Sequence, residues 1–203
     1  MKLYYSPGAC SLASHIALNE IEQPAEFVKT DVRAKRTEDG RDYREVNRLG
    51  YVPALELDGG EILTENGAIL PYIASLKPGV LVPHGDALAE ARVHEALGFL
   101  GTELHKAFSP FFGPLEGEAR EAALTKLNSR IDHVEYLLGD GRDYLFGDRF
   151  SIADAYAFVI LNWANGIGVS LDKWPNVSGF VRRVAARPAV RQAMANEGLL
   201  ELA

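Results

Sequence analysis

The sequence predicts two parts of different class. An α/β domain spans residues 1–77, a linker spans 78–86, and an all-α helical bundle spans 87–203. Three observations predict this. Up to Leu76, short strand-like runs and turn signals alternate with helical patterns. The run Lys77–Gly85 (KPGVLVPHG) then places two prolines and two glycines in nine residues, the composition of a linker. Beyond it, the apolar positions repeat with helical period only.

In chain order, Lys2–Tyr5 reads as a strand, Ser6–Ala9 as a turn, Cys10–Leu18 as a helix and Ala25–Thr30 as a second strand. A right-handed crossover makes those two strands parallel neighbours. Ala54–Leu57 and Glu61–Thr64 flank Asp58-Gly59-Gly60, a strong hairpin signal. A helix follows from Asn66 to about Leu76. With a short helix expected before the hairpin, the order is βαβαββα, that of a thioredoxin-like domain. In the second part, Ala89, Val93, Leu97, Leu100, Leu104 and Phe108 form one helical face. Ala119–Leu138 is a second amphipathic helix, and Ile152–Trp163 is apolar nearly all round, as in the centre of a bundle. Ser151-Ile152-Ala153-Asp154 is a capping signal. Trp174-Pro175 opens another helix, and Arg187-Pro188 breaks it.

Composition excludes several functions. A hydrophobic fraction of 47% with 24% charged residues is ordinary for a globular protein. A net charge of −7 argues against a nucleic-acid partner. No apolar run reaches the ~18 residues of a membrane span, and the chain enters its first strand without a secretory leader. One cysteine permits no internal disulfide, which suits a reducing compartment, so a cytoplasmic protein is expected.

That cysteine, Cys10, stands where the first strand breaks into a helix. A helix N-terminus favours thiolate over thiol, although a lone cysteine also serves as a small buried hydrophobe. With no second cysteine, any thiol exchange needs a sulfur from outside the chain. Val52-Pro53 precedes the third strand; it fits a strand-start proline, or a backbone presented to an extended ligand. Glu65-Asn66-Gly67 opens a helix, where the residues can cap it or bind the carboxylate and ammonium of an amino-acid headgroup. Lys35 lies in a charged loop and could hold a second carboxylate. His94, Gly98, Gly101 and His105 form a second stripe on the long helix; two glycines there imply a close approach by a helix, a subunit or a ligand. No histidine spacing suggests a metal site.

Over essentially its whole length the chain resembles the glutathione transferases, in particular the bacterial beta class. The resemblance is densest in MKLYYSPGACSLASHIA (1–17), NRLGYVP (47–53), LTENGAI (63–69), TELHKAFSP (102–110) and FSIADAY (150–156). It implies a homodimer that uses glutathione as co-substrate. Cys10 and His105 are then the catalytic pair, with Cys10 able to hold glutathione as a mixed disulfide. Lys35 holds the glycine end, Val52 before a cis Pro53 pairs with the cysteinyl backbone, and Glu65 and Asn66 take the γ-glutamyl group. Thr102, Glu103 and Leu104 line the wall beside His105. Gly98 falls where relatives often carry Asn, which weakens any contact there. Ser151 and Asp154 match a folding capping box. Phe108, Phe111, Phe112 and Trp163 are candidates for a pocket that takes small hydrophobic electrophiles. Two alternatives stay open: a glutaredoxin-like thiol-disulfide reductase, and a non-catalytic glutathione- or ligand-binding protein on the same fold.

Overall fold

The structure, a computed structural model, describes residues 1–200. It divides into two compact units, one of residues 1–84 together with the chain from Ala186 onward, the other of residues 85–185.

The first unit is built on a five-stranded sheet. Strands β1 (Lys2–Tyr5), β2 (Glu26–Asp31), β3 (Arg36–Thr37), β4 (Ala54–Glu56) and β5 (Ile62–Thr64) lie in the order β3-β2-β1-β4-β5. The central strand β1 runs parallel to β2, with Leu3 opposite Phe27, and antiparallel to β4, with Leu3 opposite Leu55. Helices α1 (Leu12–Glu20) and α2 (Asn66–Ser75) pack on each other. Leu3, Leu12, Ile16, Leu55, Ile69 and Ile73 are fully buried. Each such side chain contributes about 1.5–3 kcal/mol of transfer free energy, so the ends of these elements are firmly held.

Two expectations are corrected. The helix expected before the hairpin is a three-residue 3-10 turn, Tyr43–Glu45, capped by the Asp42 carboxylate, which accepts from the Arg44 N–H. In that turn only Tyr43 is buried, so no apolar face exists to support a longer helix. The C-terminal end does not stay with residues 87–185: helix α8 (Pro188–Asn196) packs on α1. Pro188 restarts the chain as a helix, Val190 and Ala193 are buried, and Arg187 grips Glu20 with two bonds of 2.6 and 2.7 Å.

The second unit is helical. Asp86 caps α3 (Ala87–Phe99) by accepting two N–H groups. A π-helical turn (Leu100–Leu104), a short α4 (His105–Phe108) and a 3-10 turn (Ser109–Phe112) continue it. Helices α5 (Gly117–Leu137), α6 (Ile152–Gly166) and α7 (Pro175–Ala185) complete the unit. Helix α6 is buried from Ile152 to Leu161, as its continuous apolar run requires. Its capping box is formed: Asp154 accepts from the Ser151 N–H (2.8 Å) and Ser151 Oγ (2.6 Å), and its other oxygen accepts from the Leu145 N–H (2.8 Å).

Among the described residues no helix is long and apolar enough to cross a membrane.

Candidate functional site

Helix α1 begins at Leu12, so Cys10 sits in the turn that leads into it rather than inside it. Its carbonyl accepts from the Ala13 N–H at 3.2 Å and from Asn66 Nδ2 at 2.9 Å. Its half-buried side chain donates from Sγ to the Val52 carbonyl at 3.3 Å. Three residues of the first unit that the sequence singles out are thus drawn together: Cys10 touches Val52 on one side and Asn66 on the other.

The Val52–Pro53 peptide is cis and Pro53 is buried. The loop before it is clamped by side chains that sequence reasoning missed. The Tyr51 carbonyl accepts from Tyr43 Oη and from Asn47 Nδ2, both at 2.8 Å. Tyr43 is fully buried. Lys35 Nζ donates to the Gly50 carbonyl at 2.9 Å and lies 5.2 Å from the centre of the Tyr51 ring. Gly50 has φ +66°, which favours glycine, and a Cβ there would lie 2.6 Å from Lys35 Cδ, so a larger residue would make the lysine shift. The available signal was Asn47 itself, a turn-forming residue just upstream of Val52-Pro53.

Glu65 precedes α2, is exposed and has φ 69°. Its side chain makes no capping bond. A left-handed glutamate carries of order 1–3 kcal/mol of backbone strain, and here no cap interaction offsets it. Asn66 behaves differently from expectation. Its amide is buried, with Nδ2 on the Cys10 carbonyl and Oδ1 accepting from Ser14 Oγ at 2.8 Å, so the side chain serves the Cys10 turn. What α2 leaves at its start is backbone N–H, the feature that binds carboxylates.

In the second unit, His105 opens α4 directly after the π turn. Its Nδ1 lies 2.8 Å from Tyr156 Oη, and its ring meets Trp163 edge-on at 4.8 Å. Burial, helped by the neighbouring Lys106 charge, pushes its pKa down to about 4. It is therefore neutral at pH 7, with one N–H to donate. Phe108 and Phe112 also pack against Trp163, at 5.7 and 5.2 Å between ring centres; Phe108 is buried and Phe112 exposed. Arg120 covers the Phe111 ring at 5.8 Å.

The wall expected beside His105 is mostly committed to structure. Thr102 Oγ1 donates back to the Gly98 carbonyl at 2.9 Å, and Glu103 pairs with Arg130 at 2.8 Å. Leu104 is fully buried and packs in the core of this unit. The two glycines of the stripe also separate. Gly98 is exposed, with nothing within 4 Å of where a Cβ would be, whereas Gly101 faces the Tyr156 ring at 3.9 Å. A π turn carries an extra residue per turn, which a spacing argument based on the α period cannot register.

Among the described residues no group of three or more His, Cys, Asp or Glu side chains could hold a metal ion.

Known proteins match this chain over its length. The profile of the glutathione S-transferase N-terminal domain matches residues 1–75, and that of the C-terminal domain matches residues 99–188. Glutathione S-transferase GstA of Escherichia coli O157:H7 is 41% identical, with 98% of this chain and all of that protein covered. A bacterial beta class glutathione S-transferase of Sphingomonas chungbukensis superposes with a TM-score of 0.93 at 44% identity, covering 98% of this chain and 100% of that one. A sphingomonad glutathione S-transferase solved in complex with glutathione gives 0.92 at 44%, again covering 98% and 100%.

Proposed function

The chain belongs to the glutathione S-transferase family, in its bacterial beta class, and from that premise we propose that it conjugates the glutathione thiolate to small hydrophobic electrophiles and that Cys10 can take glutathione as a mixed disulfide. The observation that carries this reading is the 3.3 Å contact between Cys10 Sγ and the Val52 carbonyl. Val52 offers the N–H and C=O to which an extended peptide-like ligand pairs. A carbonyl oxygen has two lone pairs, so it can accept a cysteinyl N–H from glutathione while staying beside Cys10. A glutathione sulfur bound there lies next to the only thiol of the protein.

The rest of the ligand follows from charge. Glu65, strained and uncapped, takes the γ-glutamyl ammonium, and the N–H groups that open α2 take the adjoining carboxylate. Lys35, tethered to Gly50, faces the glycine carboxylate. Asn66 contributes by backbone only. In the reaction, the glutathione thiolate attacks the electrophilic carbon, a sulfur–carbon bond forms, and any leaving group departs with its electron pair. His105 and Tyr156 share a hydrogen bond of 2.8 Å, and the exposed Phe112 beside Trp163 offers apolar surface of the kind a hydrophobic electrophile takes. Thr102, Glu103 and Leu104 beside His105, and Gly98 by backbone alone, stay with the proposed ligand set, their side chains being held by the helix and its neighbours. Partial support for a homodimer comes from Leu49 and Tyr51, which expose 65% and 59% of their surface on the Val52 loop. A reducing compartment such as the cytoplasm suits a lone thiol that exchanges with glutathione.

The test is steady-state conjugation of glutathione with a panel of aryl halides, enones and isothiocyanates. Turnover with at least one class, saturable in glutathione, is expected. Glutathione binding without turnover on any of them would favour the carrier reading.

A further inference from the structure

The buried pair His15–Glu197 belongs to none of the roles above. Glu197 ends α8, and both side chains are fully buried, with His15 Nδ1 3.0 Å from Glu197 Oε1. The second carboxylate oxygen, Oε2, accepts the backbone N–H of Gly8 at 2.9 Å, across 189 positions of sequence. Gly8 stands two residues before Cys10 with φ +70°, in the turn that carries the thiol.

The chain end is shaped for this contact. Gly198, at φ +72°, follows the helix, its N–H bonding to the Ala195 carbonyl and the Leu199 N–H to the Met194 carbonyl. That is the Schellman ending. It sends the Glu197 carboxylate inward and brings Leu199 over the turn: a Cβ on Gly8 would sit 3.5 Å from Leu199 Cδ2. His15 has its other ring nitrogen, Nε2, buried without a hydrogen-bond partner, and its ring stacks on Phe27 at 3.8 Å. Its polar contact is thus spent on Glu197. A buried carboxylate is tolerated only when its oxygens are satisfied; one oxygen here is satisfied by the turn beside the thiol.

We propose that Glu197 is a positioning residue for Cys10: oriented by His15, its carboxylate pins the Gly8 amide and so holds the turn that presents the thiol. Within the turn, Ala9 donates to the Ser6 carbonyl at 3.0 Å and the Ser6 N–H donates to Ser11 Oγ at 3.2 Å. These ties shape the turn locally, and Glu197 anchors it to the helical layer. The proposal rests on the reading that Cys10 reacts with glutathione.

The experiment measures the rate at which Cys10 forms a mixed disulfide with oxidised glutathione. The Cys10 thiolate attacks one sulfur, the disulfide bond breaks, and one glutathione leaves as thiolate. Glu197→Ala is expected to slow this at least fivefold and to raise hydrogen exchange at the Gly8 amide. Glu197→Gln keeps an acceptor oxygen for Gly8 and should restore the rate to within twofold of wild type. Arg187→Ala breaks the bond from α8 to Glu20 without touching the turn, so it should lower Tm and leave the rate unchanged. Should Glu197→Ala fail to fold, Glu197→Asp carries the test: it keeps the charge but falls one carbon short of Gly8, and should be slow. An unchanged rate in the shortened or truncated variant, or equal slowing in Arg187→Ala, overturns the proposal. If wild type forms no adduct, the functional reading falls, and the same comparison with a small aromatic disulfide still decides the positioning role.

Discussion

The two units carry their functional candidates in opposite ways. In the first, the candidates occupy irregular backbone, with positive φ at Lys35, Gly50 and Glu65 and a turn at Cys10, and buried polar side chains from elsewhere hold the loop before Val52 and the Cys10 turn in place. In the second, they lie on continuous helix, and most of their polar groups are spent on the helix or its neighbours. Irregular backbone without a local reason needs support, and that support marks a site built for something outside the chain. Regular helix satisfies its own backbone, so the polar side chains on it turn to the helix or its neighbours, as His105 does to Tyr156. On the function proposed above, the comparison assigns the glutathione headgroup and backbone contacts to the first unit.

Several substitutions break or sharpen this contrast. The largest effect is expected from Cys10→Ala, which should abolish the mixed disulfide with oxidised glutathione, read by intact mass, while conjugation survives in part because glutathione brings its own sulfur. Complete loss of conjugation with binding intact would make Cys10 the essential group. Next is Asp154→Ala in the second unit. It removes a cap, worth about 0.5–2 kcal/mol, and leaves buried donors at Leu145 and Ser151 unpaired, at about 1–3 kcal/mol each. Tm should fall by several degrees while the folded variant binds glutathione with unchanged affinity; a loss of affinity comparable to the loss of stability would tie this cap to the ligand site.

A smaller effect separates the two glycines. Gly101→Leu must displace the Tyr156 ring that holds His105, an overpacking that typically costs about 1–3 kcal/mol. Gly98→Ala enters open space and should stabilise α3 by roughly 0.5–1 kcal/mol. Equal melting shifts for the two would mean that Tyr156 does not constrain this face.

A further effect is a pH trend. His105 has its pKa lowered to about 4 in the folded protein, so the stability it contributes is complete above the unfolded value of 6.5 and is lost as pH falls towards 4. Burial raises Asp154 to about 6, despite its three donors, so its contribution runs the other way and is lost as pH rises from 3.8 to 6. The two trends oppose each other between pH 4 and 6. Replacing His105 with Phe removes one of them, so the Tm of the variant minus that of wild type should rise as pH falls from 6.5 to 4. A difference that stays constant with pH would show that His105 is not the titrating group.

The sequence made much of this legible, for physical reasons. Strands around Asp58-Gly59-Gly60, the linker near Pro78-Gly79 and the capping box at Ser151 and Asp154 each rest on local chemistry, and local chemistry can be read in a window of a few residues. Cys10, Val52 and Glu65 stand out for the same reason. The misses are non-local or depend on geometry. Tyr43 and Asn47 matter because they meet at the Tyr51 carbonyl, and Glu197 because α8 returns to α1. His15 gave no signal, since its partner lies 182 positions away. The stripe from His94 to His105 assumed the α period throughout, and the π turn at Leu100–Leu104 breaks it.

The central claim, that Glu65 is strained for a ligand and not for its helix, is tested most directly by titrating glutathione calorimetrically into wild type and Glu65→Gln while melting both. A charge-assisted hydrogen bond is worth about 1.5–3 kcal/mol, so the dissociation constant should rise roughly 10-fold to 150-fold. Tm should hold, because the carboxylate makes no capping bond. An unchanged affinity with a lowered Tm would contradict the account and return Glu65 to the role of a helix cap.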